Sequence, residues 1–371
     1  MTDVSRYLPE LREVLREQKK AAGELEETIQ KMISCEGASE KNDAPPHVLQ
    51  NYTLTFEDTF GGDSVDTDKW CSKLLWGPDV TINKEEQYYV DALSPDYNGE
   101  YANPFSINAD GNLLITAAPI TGTKPVTQNG IEGGQRFTSG VLTARDALCF
   151  TGGYVECCIK APCGVSGAWP ATWLLNCLYH NNAASKNIKE GVPNGNDKFN
   201  PEIDFWEGVE GTFFDMECVN QAYHYFTGDR IQGDNYSRWS VGGSNFKEVD
   251  GNTGALISQF NQYESCDGTP RFALDRPCIP EMCNDFITVG VDWVPNDYID
   301  FYINGELSNC IRGADNIITD QSMYLILNYA VGGFFPYGFT TPEGNLEISQ
   351  FAPLEDYPSS LEIAYARIYT L

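Results

Sequence analysis

Asn200-Pro201-Glu202-Ile203-Asp204-Phe205-Trp206-Glu207-Gly208-Val209 sets three acids among large apolar residues, between a proline and a glycine. Alternation of carboxylate and apolar side chains over so short a run reads as a β-strand with one polar and one buried face. Strict period-2 geometry puts Glu202, Asp204 and Trp206 on one face and turns Glu207 to the other. One extra residue, a β-bulge near Phe205-Trp206, returns Glu207 to the face of the other two acids. Three carboxylates on one face repel unless they share protons or meet a ligand. Cleavage of a glycosidic bond uses such a set: one ionised carboxylate as nucleophile and one protonated carboxyl as general acid, with Asp204 between them tuning both. A chain with 53 Asp and Glu among 371 residues also produces acidic runs by chance, so a solvated strand face competes for the hexapeptide taken alone.

Outward from this strand the pattern stays β. Strand-like runs fall at Asn112-Ala117, Gly153-Ala161, Phe286-Trp293, Tyr298-Asn304, Met323-Ala330 and Leu361-Tyr369, separated by turns rich in Gly, Asn, Asp and Pro. No regular alternation of strand and helix appears, which favours a sandwich over an α/β fold. Two stretches, 178–200 and 228–285, are polar and Gly/Asn-rich and read as long loops of the functional kind. The 42% apolar and 12% aromatic content excludes a disordered chain. A net charge of -29 argues against nucleic acid as a partner and suits a saline or extracellular setting. No apolar run approaches the length of a membrane span.

The N-terminal part differs. Across residues 5–34, Leu8, Leu11, Leu15, Gln18, Ala22, Leu25, Ile29 and Met32 recur in alternating steps of three and four, a heptad stripe with one polar core position. The spacing predicts a coiled-coil helix over 1–34 and hence a homo-oligomer through residues 5–34; a helix lying on its own domain is the competing reading. Residues 35–48, with Pro45-Pro46, read as a linker, leaving 49–371 as the β-domain. The start, Met1 to Arg6, lacks the basic and then apolar regions of a secretory signal. That conflicts with an enzyme acting on external polysaccharide unless the chain leaves the cell by another route, such as assembly into a virion, or the native N-terminus differs. The 12 cysteines show no C-x-x-C spacing for zinc; they are expected to be mostly free, buried thiols, with a disulfide possible within 266–283.

In order along Leu54–Tyr369, a series of segments resembles glycoside hydrolase family 16, in particular its laminarinase-like, endo-β-1,3-glucanase branch. Phe56-Glu57-Asp58-Thr59-Phe60 followed by Asp66 to Trp70 is similar to the family's opening strand and turn, and Glu86-Gln87-Tyr88-Tyr89 to its E-x-Q-Y-Y-like segment. Gly111-Ala117 and Thr138-Ser139-Gly140 follow, then Gly167-Ala168-Trp169-Pro170-Ala171-Thr172-Trp173, close to G-x-W-P-A-x-W. The acid hexapeptide matches E-x-D-x-x-E, the bulged catalytic strand. His224 in Ala222-Tyr223-His224-Tyr225, Val291-Asp292-Trp293, Phe301-Gly305 and Leu325-Ile326-Leu327-Asn328 complete the series.

The resemblance implies a β-jelly-roll of two curved antiparallel sheets and a retaining hydrolase. By position Glu202 is the nucleophile, Glu207 the acid/base and Asp204 the assisting acid. Trp169, Trp173, His224 and Asn328 are the candidate substrate-binding residues. Trp169 is the better sugar platform, because aromatic rings bury the flat C–H faces of sugars; Trp173 divides between platform and core packing. No cofactor is expected. Where the family often carries a calcium-ligating acid in the last strand, this chain has Ala364, which supplies no carboxylate oxygen, so a structural calcium there is doubtful. The expected function is endo-acting cleavage of a β-linked polysaccharide, most readily β-1,3-glucan. The alternatives are a galactanase acting on agar- or carrageenan-like chains, and a non-catalytic carbohydrate-binding or structural virion protein. The expected location is extracellular or virion-associated.

Overall fold

The computed structural model describes residues 43–127, 130–177, 201–212, 216, 219–227, 236–241, 245–250, 256–260, 262–264, 270–272, 280–312, 318–341 and 346–371. The expected coiled-coil helix over 1–34 and the loop 178–200 lie outside them. The described residues belong to one compact unit, Asp43–Leu371.

Two large sheets make an all-β sandwich. The first runs, in spatial order, through Glu306–Arg312, Tyr298–Ile303, Ile287–Val294, Gly153–Lys160, Ser359–Thr370, Leu113–Lys124, Gln135–Ser139 and Gln87–Tyr89. The long last strand also pairs with Thr53–Asp58. The second sheet is antiparallel throughout: Leu256–Phe260, Asn245–Asp250, Tyr236–Val241, Val219–Thr227, Glu202–Gly208, Ala168–Asn176, Met323–Val331 and Val141–Thr143. All six strand-like runs of the sequence coincide with strands of these sheets. Alternation places Leu174, Ile203, Tyr223 and Leu325 of the second sheet against Val155, Ile159, Val289 and Ile363 of the first, in one continuous core.

Three expectations change. The stretch 228–285 is not a plain loop: Tyr236–Val241, Asn245–Asp250 and Leu256–Phe260 extend the second sheet beyond Val219–Thr227. Their alternation is between polar and apolar residues interrupted by Gly and Asn, which weakens the strand signal in sequence. The linker 35–48 also ends early. Ala44 is buried, Pro46–Asn51 is a short helix, and fully buried Val48 packs with Tyr154, Tyr302 and Tyr369. Polar anchors accompany it: Thr288 donates to Asp43 at 2.8 Å, and His47 Nε2 and Tyr52 Oη lie 2.8 and 3.0 Å from the fully buried carboxylate of Asp292. Docking wins because an isolated helix this short is unstable until its apolar side is covered.

The cysteines are the third correction. Cys149 is bonded to Cys177 and Cys163 to Cys283, and Cys310 is also in a disulfide; among the described residues Cys71, Cys157 and Cys158 stand outside the disulfides. The partners are 28 and 120 residues apart in sequence, so only the fold brings them together. Cys283 pairs across to Cys163 and not within 266–283.

Candidate active site

The strand Glu202–Gly208 carries a bulge at Phe205. Its partner Trp173 is in register with Asp204 and the preceding Thr172 with Trp206, so Phe205 has no opposite number. The other neighbour repeats the shift: Ala222 opposes Asp204 and Asn220 opposes Glu207. Phe205 and Trp206 therefore both enter the core, fully buried. Register then puts Glu202, Asp204 and Glu207 on the opposite face, with Leu175, Trp173 and Ala171 across from them. Glu202 and Glu207 are half-buried, and Asp204 is buried between them.

Burial pushes the Asp204 carboxyl up to about 8, against a hydrogen bond with Glu202 that pulls it down. The shift favours the protonated form of Asp204, which can then donate to Glu202. Glu207 Oε1 accepts the indole N–H of Trp169 at 2.9 Å. The arrangement thus holds two carboxyls hydrogen-bonded to each other and a third steered by an indole.

Trp169 and Trp173 share this face, both largely buried. Phe335 meets Trp169 edge-on, with ring centroids 5.2 Å apart. Trp173 sits in a cluster with Tyr89, Val141, Leu175, Tyr324 and Ile326 and donates its indole N–H to Asn328 Oδ1 at 2.8 Å. Asn328 in turn donates to Tyr89 Oη at 2.9 Å. Asn328, on the strand beyond Ala168–Asn176, thus ties Trp173 to Tyr89. His224 lies in register with Glu202 on Val219–Thr227.

The sequence reading missed Glu85. Glu86, in the quoted segment Glu86-Gln87-Tyr88-Tyr89, is bound to Arg136 at 2.9 Å and to the Ala352 N–H at 2.7 Å. Glu85 instead accepts from Gln87 Nε2 at 2.6 Å, and Gln87 Oε1 accepts the Val331 N–H at 2.8 Å. Burial pushes Glu85 up to about 8, and the charge of nearby Glu202 adds to this. The available signal was the spacing: Glu85 and Gln87, two apart, share a side of an extended segment, and Glu86 points away.

Ala364 is fully buried on the last strand, beside a register shift between Ile363 and Tyr365. A methyl group there gives a cation no oxygen. Among the described residues no three His, Cys, Asp or Glu side chains form a metal-holding group, and no helix is long and apolar enough to cross a membrane.

No protein-family profile matches the chain. An endo-1,3-1,4-β-glycanase, EglC of Rhizobium meliloti strain 1021, is 37% identical over 131 residues, 33% of this chain and 26% of that protein. Glucan endo-1,3-β-glucosidase A1 of Niallia circulans is 24% identical over 342 residues, 86% of this chain and 38% of that protein. The chain thus spans well under half the length of either relative. Among solved structures, a non-specific endo-β-1,3(4)-glucanase from family GH16 superposes with a TM-score of 0.54 at 20% identity, covering 88% of this chain and 93% of that one. The two share a fold.

Proposed function

We propose that this chain, whose homologues are endo-β-glucanases and whose structural neighbours include enzymes of glycoside hydrolase family 16, is an endo-acting retaining hydrolase of β-1,3-glucan on a β-jelly-roll. The observation that carries the reading is the bulge at Phe205, which gives Glu202, Asp204 and Glu207 one face of one strand.

In this reading Glu202 is the charged nucleophile. It attacks the anomeric carbon while Glu207, protonated, passes its proton to the departing glycosidic oxygen. Water then attacks the glycosyl-enzyme, giving a proton back to Glu207 and releasing the sugar from Glu202. Neutral Asp204 holds Glu202 in position and shields it from a second adjacent negative charge. Trp169 orients Glu207 through its N–H, while the Trp173–Asn328–Tyr89 tie fixes the floor beneath the sugar. His224 is a candidate contact for the sugar or the acid/base. The reaction needs no cofactor. A net charge of -29 favours a neutral glucan over a sulfated galactan. A non-catalytic binding module has no use for a buried acid set against a charged one. The disulfides suit an oxidising, extracellular location, and self-association through residues 5–34 would suit display on a surface or particle.

The test is product analysis after incubation with laminarin, mixed-linkage glucan, agarose and carrageenan. Laminarin should give oligosaccharides of retained anomeric configuration, and folded Glu202→Gln should give none. Products from agarose or carrageenan alone would move the reading to a galactanase. No product from any substrate would favour the binding or structural alternative.

A further inference from the structure

We propose that Phe335, outside the acid strand, is a positioning residue for the acid/base: it wedges Trp169 so that the indole N–H is delivered to Glu207. This rests on the reading of Glu207 given above.

Phe335 is half-exposed and packs with Trp169, Val209 and Ala330. Its ring stands nearly perpendicular to the indole, at 85° and 5.2 Å, the favoured edge-to-face geometry. Trp169 lies at the start of Ala168–Asn176, two residues after Gly167, which has no side chain. The turn bearing Phe335 is clamped from three directions. Phe334 N–H donates to Asn83 O at 2.8 Å, Thr212 N–H to Pro336 O at 3.0 Å, and Gly332 N–H to Gly167 O at 2.8 Å. Tyr337 Oη and Ser166 Oγ are 2.7 Å apart. Gly333 opens the turn at φ 88°, and a Cβ there would come within 2.6 Å of Asn83 O; only glycine fits both demands. A clamp built to that tolerance holds one aromatic ring against one indole, whose N–H reaches Glu207 at 2.9 Å.

An N–H donated to a carboxyl favours its ionised form. Losing the wedge should free the indole and raise the proton affinity of Glu207. By register, Asp204 and Glu202 share the face of Glu207 on its own strand, Asn220 opposes Glu207 and position 224 opposes Glu202 on Val219–Thr227, and Ala171 opposes Glu207 on the other side, with Glu210 next in the following loop. The 332–337 turn brings no charge. These surroundings stay the same when Phe335 is replaced, so the difference on replacement isolates the wedge.

Indole ¹⁵N–¹H spectra of the full chain across pH decide it without requiring turnover. The Trp169 signal is assigned by its loss in Trp169→Phe, and its titration by the loss of that titration in Glu207→Gln. Phe335→Ala, or Phe335→Leu should the alanine variant fail to fold, is expected to move the signal towards that of an unbonded indole. Its titration midpoint should rise by about one pH unit, and Phe335→Tyr should restore both. A folded Phe335→Ala or Phe335→Leu protein with the wild-type signal and midpoint would overturn the proposal. In activity, poor leaving groups should slow about tenfold more than activated aryl glycosides; equal losses would likewise count against it. A wild-type chain inactive on every glucan would end the hydrolase reading, while the spectra would still decide what Phe335 does to Trp169 and Glu207.

Discussion

Asp204 combines deep burial with a hydrogen bond to a second carboxyl, that of Glu202. Burial lifts it from 3.8 to about 8, and lifts Glu85 from 4.5 to about 8. Between the ordinary carboxylate range and about 8, the folded chain keeps protons that the unfolded chain has released. Stability contributed by these groups is therefore full at acid pH and declines as pH rises through that window. Asp204→Asn should raise the melting temperature at pH 7 and flatten its fall between pH 5 and 8, while slowing glucan hydrolysis about 10²-fold through a less well placed Glu202. Thermal melts across pH check the first part; a melting temperature at pH 7 no higher than wild type would contradict it. More stability for less activity is the usual exchange at such a site.

At the scale of elements, the segment from Asp43 to Tyr52 is part of the β-domain. Its contacts are Val48 in the tyrosine cluster, Asp43 on Thr288 and His47 on Asp292. Asp292 is buried and also receives Tyr298 Oη at 2.9 Å. A chain beginning at Leu49 should thus be less stable than one beginning at Asp43 by about 3 kcal/mol, from one lost apolar side chain and one lost bond to a buried charge. Denaturant midpoints of the two truncations measure it; equal midpoints would mean the segment only rests on the sheet. The acid strand shows the same dependence on neighbours. Its bulge is defined against Ala168–Asn176 on one side and Val219–Thr227 on the other, and both register shifts must agree for Glu207 to face Glu202.

For the whole molecule, the disulfides Cys149–Cys177 and Cys163–Cys283 close long loops, and each is worth about 3–5 kcal/mol on a chain-entropy account. Oligomerisation belongs to this scale too. The heptad stripe from Leu8 to Met32 buries little as an isolated helix and gains from identical stripes, with Gln18 setting register. The full chain should be a homo-oligomer, a trimer in preference to a dimer, and a chain beginning at Asp43 should be a monomer that still hydrolyses soluble glucan. Light scattering of both decides; a monomeric full chain at micromolar concentration would refute self-association and favour a helix docked on its own domain.

The β class, the six strand runs and the acid strand with its bulge were legible in the chain because they are written in local period and spacing: Ile203 and Phe205 alternate with acids, and Glu207 falls one residue out of phase. The aromatic and asparagine candidates were legible only through family resemblance, which placed Trp169, Trp173 and Asn328 near the acids without their partners. Tertiary structure alone decided those partners: Trp169 with Glu207, Trp173 with Asn328, Glu85 with Gln87, Cys163 with Cys283, and Phe335 against Trp169. Each joins residues distant in sequence or depends on which way a side chain turns. Local alternation records which residues are buried; the contacts that bury them, and the proton each carboxyl keeps as a result, exist only once the sheets have packed.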